Sequence, residues 1–248
     1  MTSEYYDQTE YMILSLIDKS PKPIGSWTLK ELVQLNGQAA STATIGRWLK
    51  EMDSQGLTKK SSNKGRVLTV KGEKYLHDIQ NLEKRAKLRN DAVEATFVTN
   101  LHQLSDLLTV RKCLETETAY QAALKATEDE KSMLRQALKA HQECVMLGRD
   151  PTETALKFHL TISKICHNNL LYRLVKLVIY EEDQIEKNIE SLVTRERGPS
   201  YAADHSSIVE AILSGDADLS KEQMAKHIQT LIDAVNENPD KTKRHQMQ

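Results

Sequence analysis

Residues 41–70, STATIGRWLK EMDSQGLTKK SSNKGRVLTV, decide the architecture of the N-terminal part of this chain. Ser41 is of a residue type that caps helix N-termini, and apolar residues then recur at helical spacing: Ile45, Trp48, Leu49 and Met52. Gly56 ends this pattern, and the segments 57–60 and 66–70 then have the length of short strands around a polar turn. The stretch therefore predicts a helix followed by a basic β-hairpin.

Two more helices are predicted upstream of this stretch. The first has apolar residues at helical spacing before a proline-containing break: Ile13, Leu16 and Ile17. The second begins at Thr28, because Thr28 and Glu31 have the spacing of a capping box, and it ends at Gly37. Three helices followed by a hairpin are the outline of a winged helix-turn-helix unit.

The remainder of the chain predicts helices only. Residues 73–147 contain neither glycine nor proline, and breaks at 148–151, 197–200 and 214–218 divide the rest into segments of helix length. We therefore predict a mainly α fold class, with an all-α helical bundle behind the winged helix. The predicted parts are a winged-helix DNA-binding domain at 1–77, a connecting helix at 78–100, an all-helical effector-binding domain at 101–236 and a flexible tail at 237–248.

The distribution of charge points to a polyanionic partner for the first half. The net charge is −1, but residues 1–90 hold 15 Lys and Arg against 10 Asp and Glu, whereas residues 91–248 hold 19 against 25. Within residues 41–74 there are eight basic and three acidic side chains. A basic cluster of this kind favours nucleic acid as the partner.

Several other classes of protein are disfavoured. The N-terminus lacks the basic start and apolar run of a signal peptide, and no stretch of about 18 apolar residues is present. The three cysteines are an odd number without CxxC spacing, which argues against a disulfide framework or a thiolate zinc site. We expect a cytoplasmic protein without a membrane partner.

One face of the predicted third helix suits the major groove of double-stranded DNA. If the apolar residues face the core, the opposite face carries Thr42, Ala43, Arg47 and Lys50. Arg47 would read guanine and Lys50 would neutralise phosphate, while the hairpin would add four phosphate contacts: Lys59, Lys60, Lys64 and Arg66. The alternative is a solvated basic surface on a protein-binding winged helix, because this fold serves both roles.

Two families share specific phrases with this sequence. Residues 43–49, the Gly56-Leu57 pair and residues 64–72 resemble winged-helix domains of the ribonuclease R and nitrogen-regulator type. Residues 111–115, the Phe158-His159 pair, residues 205–216 and residues 224–227 resemble the FCD-type C-terminal domain of the FadR subgroup in the GntR superfamily. The resemblance implies a ligand-responsive transcription regulator, a repressor, that binds a pseudo-palindromic operator as a homodimer.

The second resemblance also implies a metal site. In that family an aspartate and a histidine on one helix, with two later histidines, bind a divalent metal, and the matching histidines are His159, His205 and His227. Ala155 occupies the aspartate's position, four residues before His159. Three histidines still suit zinc, nickel or manganese. The alternative is that they line a polar cavity and hydrogen-bond an organic anion directly.

The same resemblance implies a small carboxylate as effector. Arg111 matches an arginine that grips the acid group, and Asn168 is the second effector-binding residue that it suggests. For Arg111 an ordinary ion pair with a helix neighbour such as Glu115 is equally open.

Two further functions compete with the regulator. A metalloenzyme with a three-histidine centre is disfavoured, because no carboxylate, serine or cysteine is spaced as a general base or nucleophile. We therefore expect no enzymatic activity. A winged-helix adaptor without DNA affinity is the other competitor, and it predicts that Arg47→Ala leaves nucleic-acid binding unchanged.

Overall fold

The computed structural model describes residues 6–61, 64–188 and 198–237, and it divides the chain into two compact units between Glu94 and Ala95. The predicted mainly α fold class is confirmed. Among the described residues, the β structure consists of one two-stranded antiparallel sheet and one isolated bridge. None of the helices in the described ranges is long and apolar enough to cross a membrane.

The first unit is a winged helix. Its elements are α1 (Gln8–Asp18), α2 (Ser26–Leu35), α3 (Thr42–Ser54), β1 (Thr58–Lys60), β2 (Arg66–Leu68) and α4 (Val70–Glu94). The apolar residues predicted at helical spacing in α1, α2 and α3 meet in one core, with Ile13, Leu29, Ile45 and Leu49 completely buried. The predicted Ser41 cap is confirmed, because its hydroxyl accepts a hydrogen bond from the backbone N–H of Thr44 at 3.1 Å.

The predicted capping box at Thr28 is wrong. Helix α2 begins two residues earlier, at Ser26, and its N-cap is Gly25, which has no side chain to cap it. The reason is tertiary: Ile24 and Arg66 exchange two backbone hydrogen bonds of 3.0 and 2.9 Å, which hold the chain extended up to Gly25. The helix therefore starts where this bridge to the wing ends.

Two glycines permit close backbone contacts in the first unit. Gly65 has φ +124°, and a Cβ atom built there would lie 2.4 Å from the backbone carbon of Ile24. A Cβ atom on Gly72, in the first turn of α4, would lie 2.0 Å from the carbonyl oxygen of Leu57. Both contacts require a residue without a side chain.

The second unit is a bundle of helices, as predicted. Its described helices are α5 (Leu101–Lys125), α6 (Glu128–Met146), α7 (Thr152–Ile165), α8 (Asn169–Asn188), α9 (Gly198–Ser214) and α10 (Ala217–Asn236). Helix α5 is central and packs against α7, α8, α9 and α10. The segment 73–147 contains most of α4 and all of α5 and α6. Polar N-caps at Asn100 and Thr127 start the two later helices without glycine or proline.

Two predicted features fall partly outside the described residues. The predicted break at 197–200 is one, since the description resumes at Gly198 with the start of α9. The predicted tail is the other: Glu237 is the C-cap of α10, and residues 238–248 lie outside the described ranges.

Candidate functional site

Six helices of the second unit enclose a small cavity that brings ionisable side chains together. Its volume is about 20 Å³, which is room for about one water molecule or one ion. We call it the histidine cavity. It is lined by Arg111, His141, Ala155, Leu156, His159, Glu182, Tyr201, His205, His227 and Leu231.

The structure brings together the three histidines predicted as metal ligands. They come from α7, α9 and α10, each is almost completely buried, and one ring nitrogen of each lies within 4.8 Å of the others. The Nε2 atoms of His205 and His227 are 3.1 Å apart. Ligand atoms at 2.0–2.1 Å from a tetrahedral metal lie about 3.3 Å apart, so this pair has the spacing of two ligands of one ion.

Carboxylates orient two of these imidazole rings from behind. Glu115 Oε2 lies 2.5 Å from His159 Nδ1, and Asp204 Oδ2 lies 3.4 Å from His227 Nδ1. A carboxylate on one ring nitrogen fixes the tautomer and leaves the other nitrogen for a metal. Nδ1 of His159 and Nδ1 of His205 both lack a hydrogen bond to any described residue, so Glu115 meets His159 as a close contact only.

A fourth buried imidazole, His141, lines the same cavity. Thr154 Oγ1 lies 3.1 Å from His141 Nδ1, and the His141 ring centroid is 4.7 Å from that of His205. Its Nε2 has no hydrogen-bond partner within the described part of the chain. His141 is absent from the site residues predicted from the sequence, because neither spacing nor motif links α6 to the later histidines.

Burial keeps the imidazoles neutral. It lowers the pKa of His159 to about 3, with Glu115 opposing that shift. Burial also lowers the pKa of His205 well below its ordinary value, and the neighbouring His227 adds to that shift. The pKa values of His141 and His227 are lowered as well, again mainly by burial. Neutral imidazole is the form that binds metals.

Arg111 is completely buried and already ion-paired. Its Nε atom donates to Glu115 Oε1, and its Nη1 atom lies 2.7 Å from each carboxylate oxygen of Glu182. The ion pair with Glu115 that the sequence leaves open is therefore present. Glu182 from α8 is missing from the predicted residues, since 71 positions separate it from Arg111.

The electrostatics of this ion-pair cluster favour full ionisation. Burial alone would lower the pKa of Arg111, but Glu115 and Glu182 raise it above its ordinary value. Burial would raise the pKa of Glu115, but the charge of Arg111 and the contact with His159 lower it to about 2. One guanidinium therefore faces two carboxylates, of which Glu182 lines the histidine cavity.

Two other predicted residues occupy different settings. Ala155 lies in the cavity wall, so the helix that carries His159 contributes no carboxylate at that position. Asn168 does not line the cavity: its side-chain oxygen accepts hydrogen bonds of 3.2 Å from the backbone N–H groups of Leu170 and Leu171 at the start of α8. The structure thus gives Asn168 a capping role away from the histidines.

These observations test whether the residues fit a divalent metal ion, and they do. The three imidazoles converge, two have a carboxylate behind Nδ1, and the cavity has the size of an ion. His159, His205 and His227 would hold the ion, and His141 is the nearest candidate for a further nitrogen ligand.

The predicted DNA-binding face lies in the first unit. Thr42, Ala43, Arg47 and Lys50 are exposed on α3, opposite its buried residues, and Lys59, Lys60 and Lys64 are exposed on the wing. Arg66 differs from them: its side chain is 13% exposed, and its Nε lies 2.9 Å from Asp53 Oδ2. Thr58 also donates to Asp53, so Arg66 ties the wing to α3.

Comparisons with known proteins agree with both units. The FCD domain model matches residues 106–230, and the ribonuclease R winged-helix domain model matches residues 11–76. The structure of E. coli McbR/YncC has a TM-score of 0.50 at 13% identity, over 92% of this chain and 93% of that one, which supports the fold.

Two curated relatives from Escherichia coli (strain K12) match in part. The putative L-lactate dehydrogenase operon regulatory protein is 26% identical over 133 residues, covering 50% of this chain and 48% of that protein. The Uxu operon transcriptional regulator is 27% identical over 134 residues, 51% of each. The chain thus aligns with about half the length of these relatives. The FCD match covers half of the chain and contains every lining residue of the histidine cavity except Leu231, so the chain belongs to the FCD domain family.

Proposed function

We propose that this protein is a DNA-binding transcription regulator, a repressor, whose affinity for its operator depends on what occupies the histidine cavity. The observation that carries the proposal is the convergence of His159, His205 and His227 in an FCD unit, in a chain that also carries a winged helix with an exposed basic face.

The DNA partner follows from the exposed residues of α3 and the wing. Arg47 would contact a guanine edge, Thr42 and Ala43 would contact neighbouring bases, and Lys50 would contact phosphate. Lys59, Lys60 and Lys64 would add salt-dependent backbone contacts. As a homodimer, the protein would read two half-sites about 34 Å apart in a pseudo-palindrome. Arg66 would position the wing rather than bind phosphate, because it is paired with Asp53.

The occupant of the cavity would couple three helices. His159, His205 and His227 lie on α7, α9 and α10, so a divalent cation bound by all three would hold these helices together. A small carboxylate effector, the class expected from the family resemblance, would need Arg111, which is engaged by Glu115 and Glu182. Differential binding of the occupant to two conformations would change DNA affinity.

Selection of genomic fragments tests this function. Purified protein, with chelator or with zinc, nickel or manganese added, is mixed with fragments of the source genome at physiological salt, and the bound DNA is sequenced. We expect enrichment of a two-fold motif, whose recovery differs between the metal-free and metal-loaded samples.

Two results would contradict parts of the proposal. Absence of enrichment under every condition, together with unchanged nucleic-acid binding in Arg47→Ala, would favour a protein-binding adaptor. The second result is equal enrichment of the motif with chelator and with each added metal, in samples where the metal is shown to bind. It would support DNA binding and contradict the proposal that the occupant of the histidine cavity controls DNA affinity.

A further inference from the structure

The histidine cavity contains a buried ring nitrogen beyond those of the three predicted ligands. His141 from α6 is 1% exposed and lines the cavity. Its Nε2 atom is buried and makes no hydrogen bond within the part of the chain that the structure describes. Buried polar atoms of folded proteins have partners almost always, because leaving one unpaired costs free energy. The Nε2 atom therefore points to a ligand of the cavity as its partner.

The contacts on the other side of this ring decide which nitrogen carries the proton. His141 Nδ1 lies 3.1 Å from Thr154 Oγ1, and that hydroxyl donates its only hydrogen to the carbonyl oxygen of Pro151 at 2.8 Å. The hydroxyl can therefore only accept from His141, so in the neutral ring the proton is on Nδ1. Nε2 then presents a lone pair to the cavity, which is the form that binds a metal ion.

His141 reaches the cavity beside the position where a carboxylate is missing. Its partner Thr154 directly precedes Ala155 on α7, and both His141 and Ala155 line the cavity. The ring centroids of His141 and His205 are 4.7 Å apart, whereas those of the three predicted ligands are 4.5 to 5.2 Å apart. The fourth ring is therefore as close to His205 as the three predicted ligand rings are to one another.

Glu182 is the carboxylate among the residues that line the cavity, and it is the alternative fourth ligand. Both of its oxygens lie 2.7 Å from Arg111 Nη1, so a metal ion would compete with a buried guanidinium for them. His141 Nε2 has no such competitor among the described residues. The contacts therefore favour the imidazole over the carboxylate.

Binding through His141 would require a movement of α6. His141 stands outside the set of three histidines whose ring nitrogens all lie within 4.8 Å of one another. Because the ligand atoms of one tetrahedral ion lie about 3.3 Å apart, His141 would have to move toward the other three rings. An ion bound in this way would couple α6 to α7, α9 and α10.

We propose that His141 is a fourth ligand of the ion in the histidine cavity and takes the place of the carboxylate that Ala155 does not provide. Imidazole suits zinc and nickel, whereas carboxylate suits manganese. His141 therefore makes the cavity select zinc and nickel over manganese. This inference rests on the proposed function in one respect, that a divalent cation occupies the cavity.

Nuclear magnetic resonance of the histidine rings tests the inference on the full-length protein without DNA. Protein labelled with ¹⁵N in histidine is loaded with ¹¹³Cd as a substitute for zinc, and each nitrogen bound to the ion shows a resonance split by cadmium. We expect four split resonances in wild type. One of them should be absent from His141→Phe, which keeps a ring and removes both nitrogens.

Competition titrations test the selectivity for metals. His141→Phe should lower zinc affinity about tenfold or more and manganese affinity by a smaller factor, so the preference for zinc over manganese should fall. His102→Phe is the matched control, because the His102 side chain is 87% exposed in the same unit. It should change neither affinity.

Three split resonances in wild type would overturn the proposal, and this measurement does not depend on the folding of any variant. Equal losses of zinc and manganese affinity in His141→Phe would also overturn it. Three split resonances together with a loss of zinc affinity in Glu182→Gln would assign the fourth ligand to the carboxylate instead.

The two proposals fail separately. Three split resonances would reject His141 as a ligand and leave both the ion and the operator selection untouched. Absence of any splitting would contradict an ion in the cavity, and with it this inference, while DNA binding would still be decided by the operator selection.

Discussion

Glu115 on α5 and His159 on α7 meet inside the second unit, with the carboxylate Oε2 2.5 Å from the imidazole Nδ1. Both side chains are almost completely buried. The pKa of Glu115 is lowered to about 2 and that of His159 to about 3, so at neutral pH the pair is a carboxylate beside a neutral imidazole. The carboxylate approaches Nδ1, so Nε2 is the ring nitrogen that remains for a metal.

This relationship predicts that the metal-free protein loses stability on mild acidification. An unfolded histidine titrates near pH 6.5, whereas His159 in the folded protein stays neutral down to about pH 3. Below pH 6.5 the unfolded chain therefore binds more protons than the folded protein. The free energy of unfolding then falls by about 1.4 kcal/mol per pH unit for each such histidine. Urea unfolding with chelator present at pH 7.5, 6.5 and 5.5 measures this loss.

The control separates the buried histidines from the exposed ones. His159→Gln should reduce the dependence on pH by about one proton, whereas His102→Gln, at a side chain 87% exposed, should leave it unchanged. Free energies of unfolding that do not change between pH 7.5 and 5.5 would contradict the neutral, buried state of the cluster. Glu115 does not contribute in this window, because its stabilisation is lost only below its ordinary pKa of 4.5.

Metal affinity should depend on each of the converging imidazoles. His205→Ala removes one of the two Nε2 atoms that lie 3.1 Å apart, so we expect zinc affinity to fall by a factor of about 100 or more. His141→Ala should cause a smaller loss. Competition titration with a chromogenic chelator measures both, with the exposed His77→Ala as the control. Equal zinc affinity in wild type and His205→Ala would show that the ion does not bind in this cavity.

The DNA face predicts a difference between base-reading and phosphate-binding residues. Arg47→Ala should weaken operator binding by about 1–3 kcal/mol and relax preference at one base pair. Lys60→Ala should weaken binding to all sequences and reduce the salt dependence by about one ion. Fluorescence anisotropy over a range of salt concentrations measures both effects. Arg149→Ala, an exposed arginine of the second unit, is the matched control and should bind as wild type does.

Two glycines of the first unit predict opposite effects on stability. Gly72→Ala forces a Cβ atom against the carbonyl oxygen of Leu57 at 2.0 Å, so the unit should lose about 1–3 kcal/mol or more. Gly46 lies inside α3 with open space around its Cα atom, so Gly46→Ala should gain about 0.5–1 kcal/mol from helix propensity. Chemical denaturation distinguishes them, and a neutral Gly72→Ala would refute the packing of α4 on Leu57.

Much of the fold was predictable because it depends on local patterns. Helical spacing in α1 and α3, the Ser41 cap and the two short strands of the wing are each encoded within a few residues, and the structure confirms them. The start of α2 was not predictable in this way. It depends on the backbone pairing of Ile24 with Arg66, which are 42 positions apart, and no local pattern in either segment indicates that pairing.

The candidate site also has features that local sequence predicts and features that depend on tertiary structure. The sequence by itself determined a winged helix, a helical bundle and three histidines with the order and context of FCD domains, because spacing and short phrases are properties of the chain. Only the tertiary structure decided that the Glu182 carboxylate pairs with the Arg111 guanidinium and that His141 lines the histidine cavity. The physical reason is that α5, α6 and α8 are distant in the chain, and burial of their apolar faces in one core is what brings these polar side chains together.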